Sequence, residues 1–311
     1  MTFAQDKPCS NGQTPFAMAM HGGLGETQYS VDVQKQRKEL MQKVLKEAQK
    51  KLSKGELAID VVEAGISTLE DSGLFNSGKG AVANVIGEVT LDSSIMDGRD
   101  RSSGSVANFK TLKNPSHGAR AALKTGNRFF VGPDAENFAA DLVHEPKSYF
   151  INSGKTTSAQ GRTSDEKFGT IGAVVLDRCG NLAAGTSTGG YPSKPIGRVG
   201  DSPLIGAATY AENGVCAVST TGEGEYFIRT SAAQNACAQM KYGKRSVQEA
   251  ASDVIENQIA KLNGLGGMIV MNGQGEVAWP YRTHEGGLLR GLVNKGGIQT
   301  LVFEDAAKAK E

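Results

Sequence analysis

The chain has 311 residues, enough for a substantial core in one large domain or two ordinary ones. Its 34 Lys plus Arg stand against 33 Asp plus Glu, a balance that offers no general field for nucleic acid or an acidic membrane. No apolar stretch approaches the length of a membrane span, and no basic leader with an apolar run opens the sequence.

Phe16 to Met20 (FAMAM) reads as a short strand running into the glycine turn His21-Gly22-Gly23-Leu24-Gly25. Residues Lys35 to Lys54 carry eight basic and two acidic side chains. Within them Leu40, Met41, Val44, Leu45, Ala48 and Leu52 recur at helical spacing, so a surface helix with one buried face is expected rather than a phosphate- or membrane-binding one. A second helix runs from Leu57 to Leu69 and closes at Ser72-Gly73. GAVANV and EVTLDSSIM read as paired strands around Ile86-Gly87. Asn114-Pro115 opens a helix through Leu123, and Asp134-Ala135-Glu136 caps another reaching Leu142. From about 147 to 168 the apolar period dissolves into Ser, Thr, Gly and Lys, which predicts an exposed, mobile linker. TIGAVVLD, NLAAGTST and GVCAVST then predict three strands. Helices from Arg229 through Met240 and from Val247 to Leu262 follow, and GGMIVMN with GEVAWPYR forms a hairpin around Gly273. Sheets covered by helices are the expected arrangement.

Cys9, Cys179, Cys216 and Cys237 lie far apart without a CxxC pair, and the four histidines show no zinc spacing. A reducing, cytoplasmic location is therefore expected. No GxSxG elbow is present, and the GxGxxG-like pieces lack a strand-to-helix setting.

What recurs is threonine beside glycine at predicted strand ends: Thr170 after Gly169, Thr188 before Gly189-Gly190, and Thr220-Thr221 before Gly222. One such pair is ordinary strand-edge composition. Three of them behind a polar linker fit an N-terminal threonine nucleophile. A threonine hydroxyl is a poor nucleophile until its proton is taken, and an α-amino group, with a pKa near about 8, is a suitable base on the same residue. That amine exists only after the Gly169-Thr170 bond is cut. Gly169 leaves its carbonyl unshielded, so the Thr170 hydroxyl can attack it, form an ester by an N-to-O shift, and be released by water.

Taken with HGG (21–23), LEDSGLFNSGKGAV (69–82), LDSSIMDG (91–98), GTIGAVVLD (169–177), TSTGG (186–190), GRVGDSP (197–203) and STTGEGE (219–225), the chain closely resembles the plant-type asparaginase and isoaspartyl peptidase family of N-terminal nucleophile hydrolases. The resemblance implies an α+β fold, a four-layer αββα sandwich. It implies one domain over 1–311, cut into an α chain of 1–169 and a β chain of 170–311, with two such units pairing as (αβ)₂. The implied activity is hydrolysis of β-aspartyl dipeptides and of the side-chain amide of L-asparagine through an acyl-enzyme on Thr170. No nucleic acid, membrane or catalytic cofactor is implied.

Position by position, Thr170 matches the nucleophile, Thr188 the hydroxyl that orients it, Thr221 and Gly222 the oxyanion pair, and Asn76 the residue that holds the nucleophile's amine. Arg198 and Asp201 match the grip on the α-carboxylate and α-amine of the aspartyl head, with backbone from Gly222 and Gly224. Carbonyls of Leu69, Glu70, Ser72, Phe75, Ser77 and Lys79 match a loop that binds a structural sodium ion. Leu24 stands where a small residue is common, and Glu223, with Tyr191, is expected toward the leaving group, where an acidic side chain disfavours a second carboxylate. Two other readings are glycosylasparaginase, which is expected with a leader and disulfides, and a noncatalytic binding protein of the same fold, which the surviving site residues argue against.

Overall fold

The computed structural model describes residues 9, 15–25, 29–126, 129–154, 169–284 and 286–301. In chain order the first elements are β1 (Ala17–Leu24), α1 (Val31–Ser53), α2 (Ala58–Asp71), β2 (Leu91–Asp97), β3 (Ser103–Phe109), α3 (Pro115–Lys124) and β4 (Phe129–Val131). Then come β5 (Ile171–Leu176), β6 (Leu182–Thr188), β7 (Thr209–Glu212), β8 (Cys216–Gly222), α4 (Gly224–Thr230), α5 (Ala232–Lys241) and α6 (Val247–Ser252). The last are β9 (Gly266–Asn272), β10 (Val277–Ala278), β11 (Tyr281–Arg282), β12 (Leu288–Asn294) and β13 (Gly297–Leu301).

One sheet has the order β13-β12-β1-β5-β6-β2-β3-β4, and the second has β10-β9-β8-β7 with β11 also on β9. Strand alternation sorts the side chains into layers. Met18, Met20, Ile171, Ala173 and Val175 pack with Met41, Leu45, Val62 and Ile66 of α1 and α2. Ala17, Ala19, Val174, Leu176 and Ala184 face Ala217, Ala211, Ile269 and Met271 of the second sheet. On its far side Cys216, Val218, Met268 and Val270 pack against Ala232, Ala236, Val254 and Ile255. Helices therefore cover both outer faces of two stacked sheets, the αββα sandwich of an α+β protein.

The basic helix has the expected buried face at Met41, Val44, Leu45, Ala48 and Leu52. Six expectations change. GAVANV forms only an isolated bridge, Ala83 to Val89, and the partners of β2 are β3 and β6. Residues Pro133–Ala139 make a tight 3-10 turn without a side-chain cap, because Gly132 enters it at φ 86°. The helix expected from Arg229 is split, since Ser231 adopts a left-handed conformation between α4 and α5, and the one expected over Val247 to Leu262 is α-helical only to Ser252, after which the chain widens into a π-helix over Asp253–Ile259. The hairpin is narrower than expected, since only Val277–Ala278 pairs back on β9 there. Finally, the cysteines are paired, Cys9 with Cys179 and Cys216 with Cys237, although 170 and 21 residues separate them in sequence. The argument against glycosylasparaginase that rested on missing disulfides therefore falls. Of the predicted linker, Lys147–Tyr149 forms a 3-10 turn and Phe150 is buried, while 155–168 lies outside the described residues. No described helix is long and apolar enough to cross a membrane.

Candidate active site

Thr170 immediately precedes β5, the strand held between β1 and β6, and its side chain is buried. Its hydroxyl donates to Thr188 Oγ1 at the end of β6, 3.0 Å away, and Thr188 Oγ1 also accepts from Gly190 N at 3.0 Å. The sheet thus orients the hydroxyl through a neighbour that backbone in turn fixes. Gly169 is forced by packing, since a Cβ there would come 2.8 Å from Asn76 Cβ.

Asn76 presses on the Gly169 side of this bond. Its Nδ2 donates to Gly190 O at 2.5 Å, its Oδ1 accepts from Val82 N, and its carbonyl accepts from Gly189 N. In the intact chain Asn76 therefore ties two loops together beside Thr170, whose α-amine does not yet exist. The turn behind it is supported from below: Ser77 Oγ meets Ser187 Oγ at 2.7 Å, and Ser187 donates to Glu70 Oε1 at 2.6 Å. Burial pushes the Glu70 carboxyl up to about 7 against the opposing hydrogen bonds from Ser187 and Ser116.

Thr221 and Gly222 end β8. Thr221 Oγ1 is buried and has no hydrogen-bond partner, an arrangement that costs about 1–3 kcal/mol unless a ligand or intermediate uses it. Ser219 sits against Gly172, where any Cβ would collide with its hydroxyl, and Ala217 faces Val174 and Leu176 further along. The same progression carries Thr221 toward the Thr170 end of β5. Gly222 has φ 145°, and a Cβ would meet Gly266 Cα at 2.5 Å, so only glycine closes β8 there.

Asp201 is buried and accepts from Thr220 Oγ1 at 2.8 Å. Burial pushes its carboxyl up to about 6, partly opposed by Thr220 and Arg198. Gly224 packs onto this pair, since a Cβ would come 2.6 Å from Asp201 Oδ1 and 3.3 Å from Arg198 Nη2. Arg198 stacks on Tyr191, 4.5 Å from the ring centre, and forks onto Glu225 through Nε and Nη2, both at 3.0 Å. Tyr191 is thus a wall of the arginine. Glu223 accepts a hydrogen bond from Leu265 N on one carboxylate oxygen, at 2.8 Å. Glu225, which sequence reasoning did not single out, is the acidic residue at the arginine.

Also unforeseen is a run of buried hydroxyls between the sheets. His21 Nε2 meets Ser219 Oγ at 3.0 Å, Ser219 meets Thr186 at 2.7 Å, Thr186 meets Thr209 at 2.6 Å, Thr209 meets Ser94 at 2.8 Å, and Ser94 meets Ser202 O at 2.6 Å. A hydroxyl has one proton and a carbonyl can only accept, so Ser94 must donate to Ser202 O. Thr209 donates to Thr186, while the Thr186–Ser219 contact can run in either direction and the Ser219–His21 contact follows the tautomer of the ring. Burial drives the His21 pKa down to about 3, so the ring is neutral; Nδ1 lacks a partner in hydrogen-bonding geometry, and the Thr170 backbone offsets little of that burial. Replacing Thr186 by Val leaves Ser219 and Thr209 facing a methyl group. The expected loss is about 2–4 kcal/mol in urea unfolding of an uncleaved Thr170→Ala background, whereas Thr186→Ser is near neutral.

The predicted sodium loop spans the end of α2 and the turn to Gly80. Leu69 O accepts from both Ser72 N and Ser72 Oγ, whereas Phe75 O accepts from Ser77 N, Ser77 O from Gly80 N and Lys79 O from Ile151 N, these three each with a second lone pair. A Cβ on Gly78 would come 2.7 Å from Glu70 O, and one on Gly80 2.7 Å from Gly73 O and closer still to Phe75 O. The turn is therefore lined by carbonyl oxygens, the donor chemistry of a hard cation. A different donor group, Cys9, Asp177 and Cys179, brings three ligand atoms within 4.8 Å at the opposite end of β5, and could hold a metal ion. Its two sulfurs are joined to each other, and Asp177 already accepts from Ala58 N, Cys179 N and Asn181.

A nucleophilic threonine opening the central strand of an αββα sandwich defines an N-terminal nucleophile hydrolase. The family model described as asparaginase matches residues 14–158 and 144–302, and the chain belongs to that family of enzymes. It is 37% identical over 294 residues to the isoaspartyl peptidase/L-asparaginase of Mus musculus, covering 91% of this chain and 89% of the relative. It is 40% identical over 287 residues to the isoaspartyl peptidase of Escherichia coli K12, covering 86% and 89%. The human isoaspartyl peptidase/L-asparaginase is 40% identical over 237 residues, covering 72% and 77%.

Proposed function

We propose that this enzyme cuts its own Gly169-Thr170 bond and then hydrolyses β-aspartyl dipeptides and the side-chain amide of L-asparagine. The observation that carries this reading is Thr170 itself, a buried threonine at the mouth of β5 whose hydroxyl is held by Thr188. In the precursor the hydroxyl attacks the Gly169 carbonyl, the amide becomes an ester, and water releases the α chain, 1–169. The freed α-amine, steadied by Asn76, takes the hydroxyl proton in each later cycle. The aspartyl head binds with its carboxylate on Arg198 and its ammonium on Asp201, with Gly222 and Gly224 leaving room. Thr221 Oγ1 and Gly222 N–H receive the charge that develops on the amide oxygen. Ammonia or an amino acid leaves, and water clears the aspartyl ester from Thr170.

Two assays test this. Intact-mass analysis is expected to show fragments beginning at Met1 and Thr170, apart from terminal trimming. The mature protein is expected to turn over β-Asp-Leu more efficiently than L-asparagine, because a leaving residue adds contacts that ammonia lacks. A stable single chain after long incubation refutes the first part, and a clear lead for asparagine refutes the second. Thr221→Val, which keeps shape and removes the hydroxyl, is expected to lower kcat by about 10²–10³ with a small change in KM.

The pH profile has a definite sign. Asp201 must be charged to hold an ammonium, and burial raises its pKa to about 6. Since kcat/KM reports the free enzyme, its value for asparagine is expected to fall as the pH drops through about 6, not near 4. Succinamate, which is asparagine without the α-amine, should not show that loss.

A sodium ion on the Leu69 to Lys79 carbonyls is part of the proposal, as a brace for Asn76. Exchange of sodium for a bulky organic cation is expected to lower thermal stability. Pairing as (αβ)₂ is expected in light scattering. A cytoplasmic location is also proposed and requires both cysteine pairs to be reduced in the cell; thiol titration of freshly isolated, unfolded protein then returns four thiols.

A further inference from the structure

The groups around Arg198 carry one step more, which rests on the reading of Arg198 and Asp201 as the clamp for the amino-acid head. A guanidinium presents two edges, each able to take a carboxylate in parallel hydrogen bonds. In Arg198 the Nε/Nη2 edge is filled by Glu225, at 3.0 Å on both nitrogens, and Tyr191 covers a face. The Nη1/Nη2 edge is the one that remains for a ligand. A Cβ on Gly200 would come 2.6 Å from Nη1, so glycine there leaves that nitrogen uncrowded. Gly224 does the same between Nη2 and Asp201.

Charge adds a second observation. Arg198 is mostly buried, with its side chain 12% exposed; Glu225 is paired with it, and Asp201 is near enough for the two to interact electrostatically across Gly224. Glu225 is near enough to Asp201 to disfavour its ionisation. The three groups together carry one net negative charge. A zwitterionic head, with carboxylate and ammonium, leaves that sum unchanged. A head with a carboxylate alone makes it more negative in a poorly solvated place.

We propose that Glu225 is a specificity-determining residue: it holds one edge of Arg198 so that the substrate carboxylate is taken on the other, and its charge makes the clamp refuse a carboxylate that brings no ammonium. The class selected is therefore α-amino acids with an amide at the β position, and the class refused is their deaminated dicarboxylate monoamides. Asp201 supplies the attraction for the amine, and Glu225 supplies the repulsion against heads that lack it.

The test compares kcat/KM for L-asparagine and succinamate on fully cleaved enzyme, in the wild type, Glu225→Gln and Glu225→Ala. Gln keeps the length and an acceptor for Arg198 while removing the charge. The succinamate-to-asparagine ratio is expected to rise about tenfold in Glu225→Gln, and succinate is expected to gain on L-aspartate as a competitive inhibitor. In Glu225→Ala the same gain is expected together with a higher KM for both substrates, because the arginine edge is no longer held. Glu225 is half exposed, so neither variant threatens the fold. A ratio within twofold of wild type in Glu225→Gln overturns the charge role while leaving the functional reading intact, and an unchanged KM in Glu225→Ala overturns the positioning role. Wild-type enzyme that is cleaved but turns over neither asparagine nor β-Asp-Leu overturns the functional reading and the inference with it.

Discussion

Thr170→Ala is expected to yield a single folded chain with no measurable amidase activity. The hydroxyl does two jobs that no neighbour can assume. In the precursor it attacks the Gly169 carbonyl, and in the mature enzyme it carries the aspartyl group. Thr188 lies 3.0 Å away but sits at the far end of β6, inside a continuous chain, so it can never gain an α-amine. The loss in turnover is therefore expected to be about 10⁴-fold or more. Folding should survive, because the change removes one hydroxyl and one methyl at a strand end and leaves the β1-β5-β6 pairing untouched. Thr170→Ser separates chemistry from packing: it keeps the hydroxyl, loses the methyl that restricts its rotamer, and should cleave slowly. Cleavage of the Ala variant at the same bond would show that another nucleophile or a contaminating protease acts there.

Arg198→Ala is expected to reduce kcat/KM for both L-asparagine and β-Asp-Leu by about 10²–10³, because both present the same α-carboxylate. Part of that loss does not come from the missing arginine. With Arg198 gone, Glu225 and Asp201 face the incoming carboxylate with nothing to offset them. The double variant Arg198→Ala/Glu225→Gln should therefore be less impaired than Arg198→Ala alone, a coupling that a double-mutant cycle measures directly. Unchanged kinetics in a fully cleaved Arg198→Ala enzyme would remove Arg198 from the site.

The strands that carry the site were legible because alternation and composition agree in them. Ile171, Ala173 and Val175 pack toward the helices while Gly172 and Val174 face the second sheet, a regular two-residue period. β3 (SGSVANF), β7 (TYAE) and β12 (LLRGLVN) offered no such pattern. Their small or charged members are specified by tertiary neighbours: a Cβ on Gly104 would strike the backbone of α3, and one on Gly291 would meet Leu45 and Met41 of α1. The same holds in the site. Thr170, Thr188 and Thr221 announce themselves by threonine-glycine order, whereas Glu225 matters only through an arginine 27 residues away. The residues from His21 to Ser94 are unremarkable singly, and their joint polarity arises only where β1, β8, β6, β7 and β2 meet. The cysteine pairs were hidden for a related reason, since sequence spacing says nothing about which strand ends and loops lie side by side.

The strand order of the larger sheet gives the proposed cut a thermodynamic meaning. Reading across it, β13 and β12 lie after Thr170 in the chain, β1 before it, β5 and β6 after it, and β2, β3 and β4 before it. A break at Gly169-Thr170 therefore produces two polypeptides that alternate within one sheet, with three of the seams between neighbouring strands joining different chains. Neither can depart without stripping strands from the other, so the native assembly persists unaltered. Its way back from the unfolded state does not. The precursor folds as one molecule, at a rate independent of concentration, whereas the severed halves must first collide and then interleave as unfinished sheets with open edges. Maturation thus acts as a ratchet. Once processed, the enzyme is protected by the height of its unfolding barrier rather than by reversible equilibrium, and dilution after denaturation should leave it unable to recover the activity that an equally treated precursor regains.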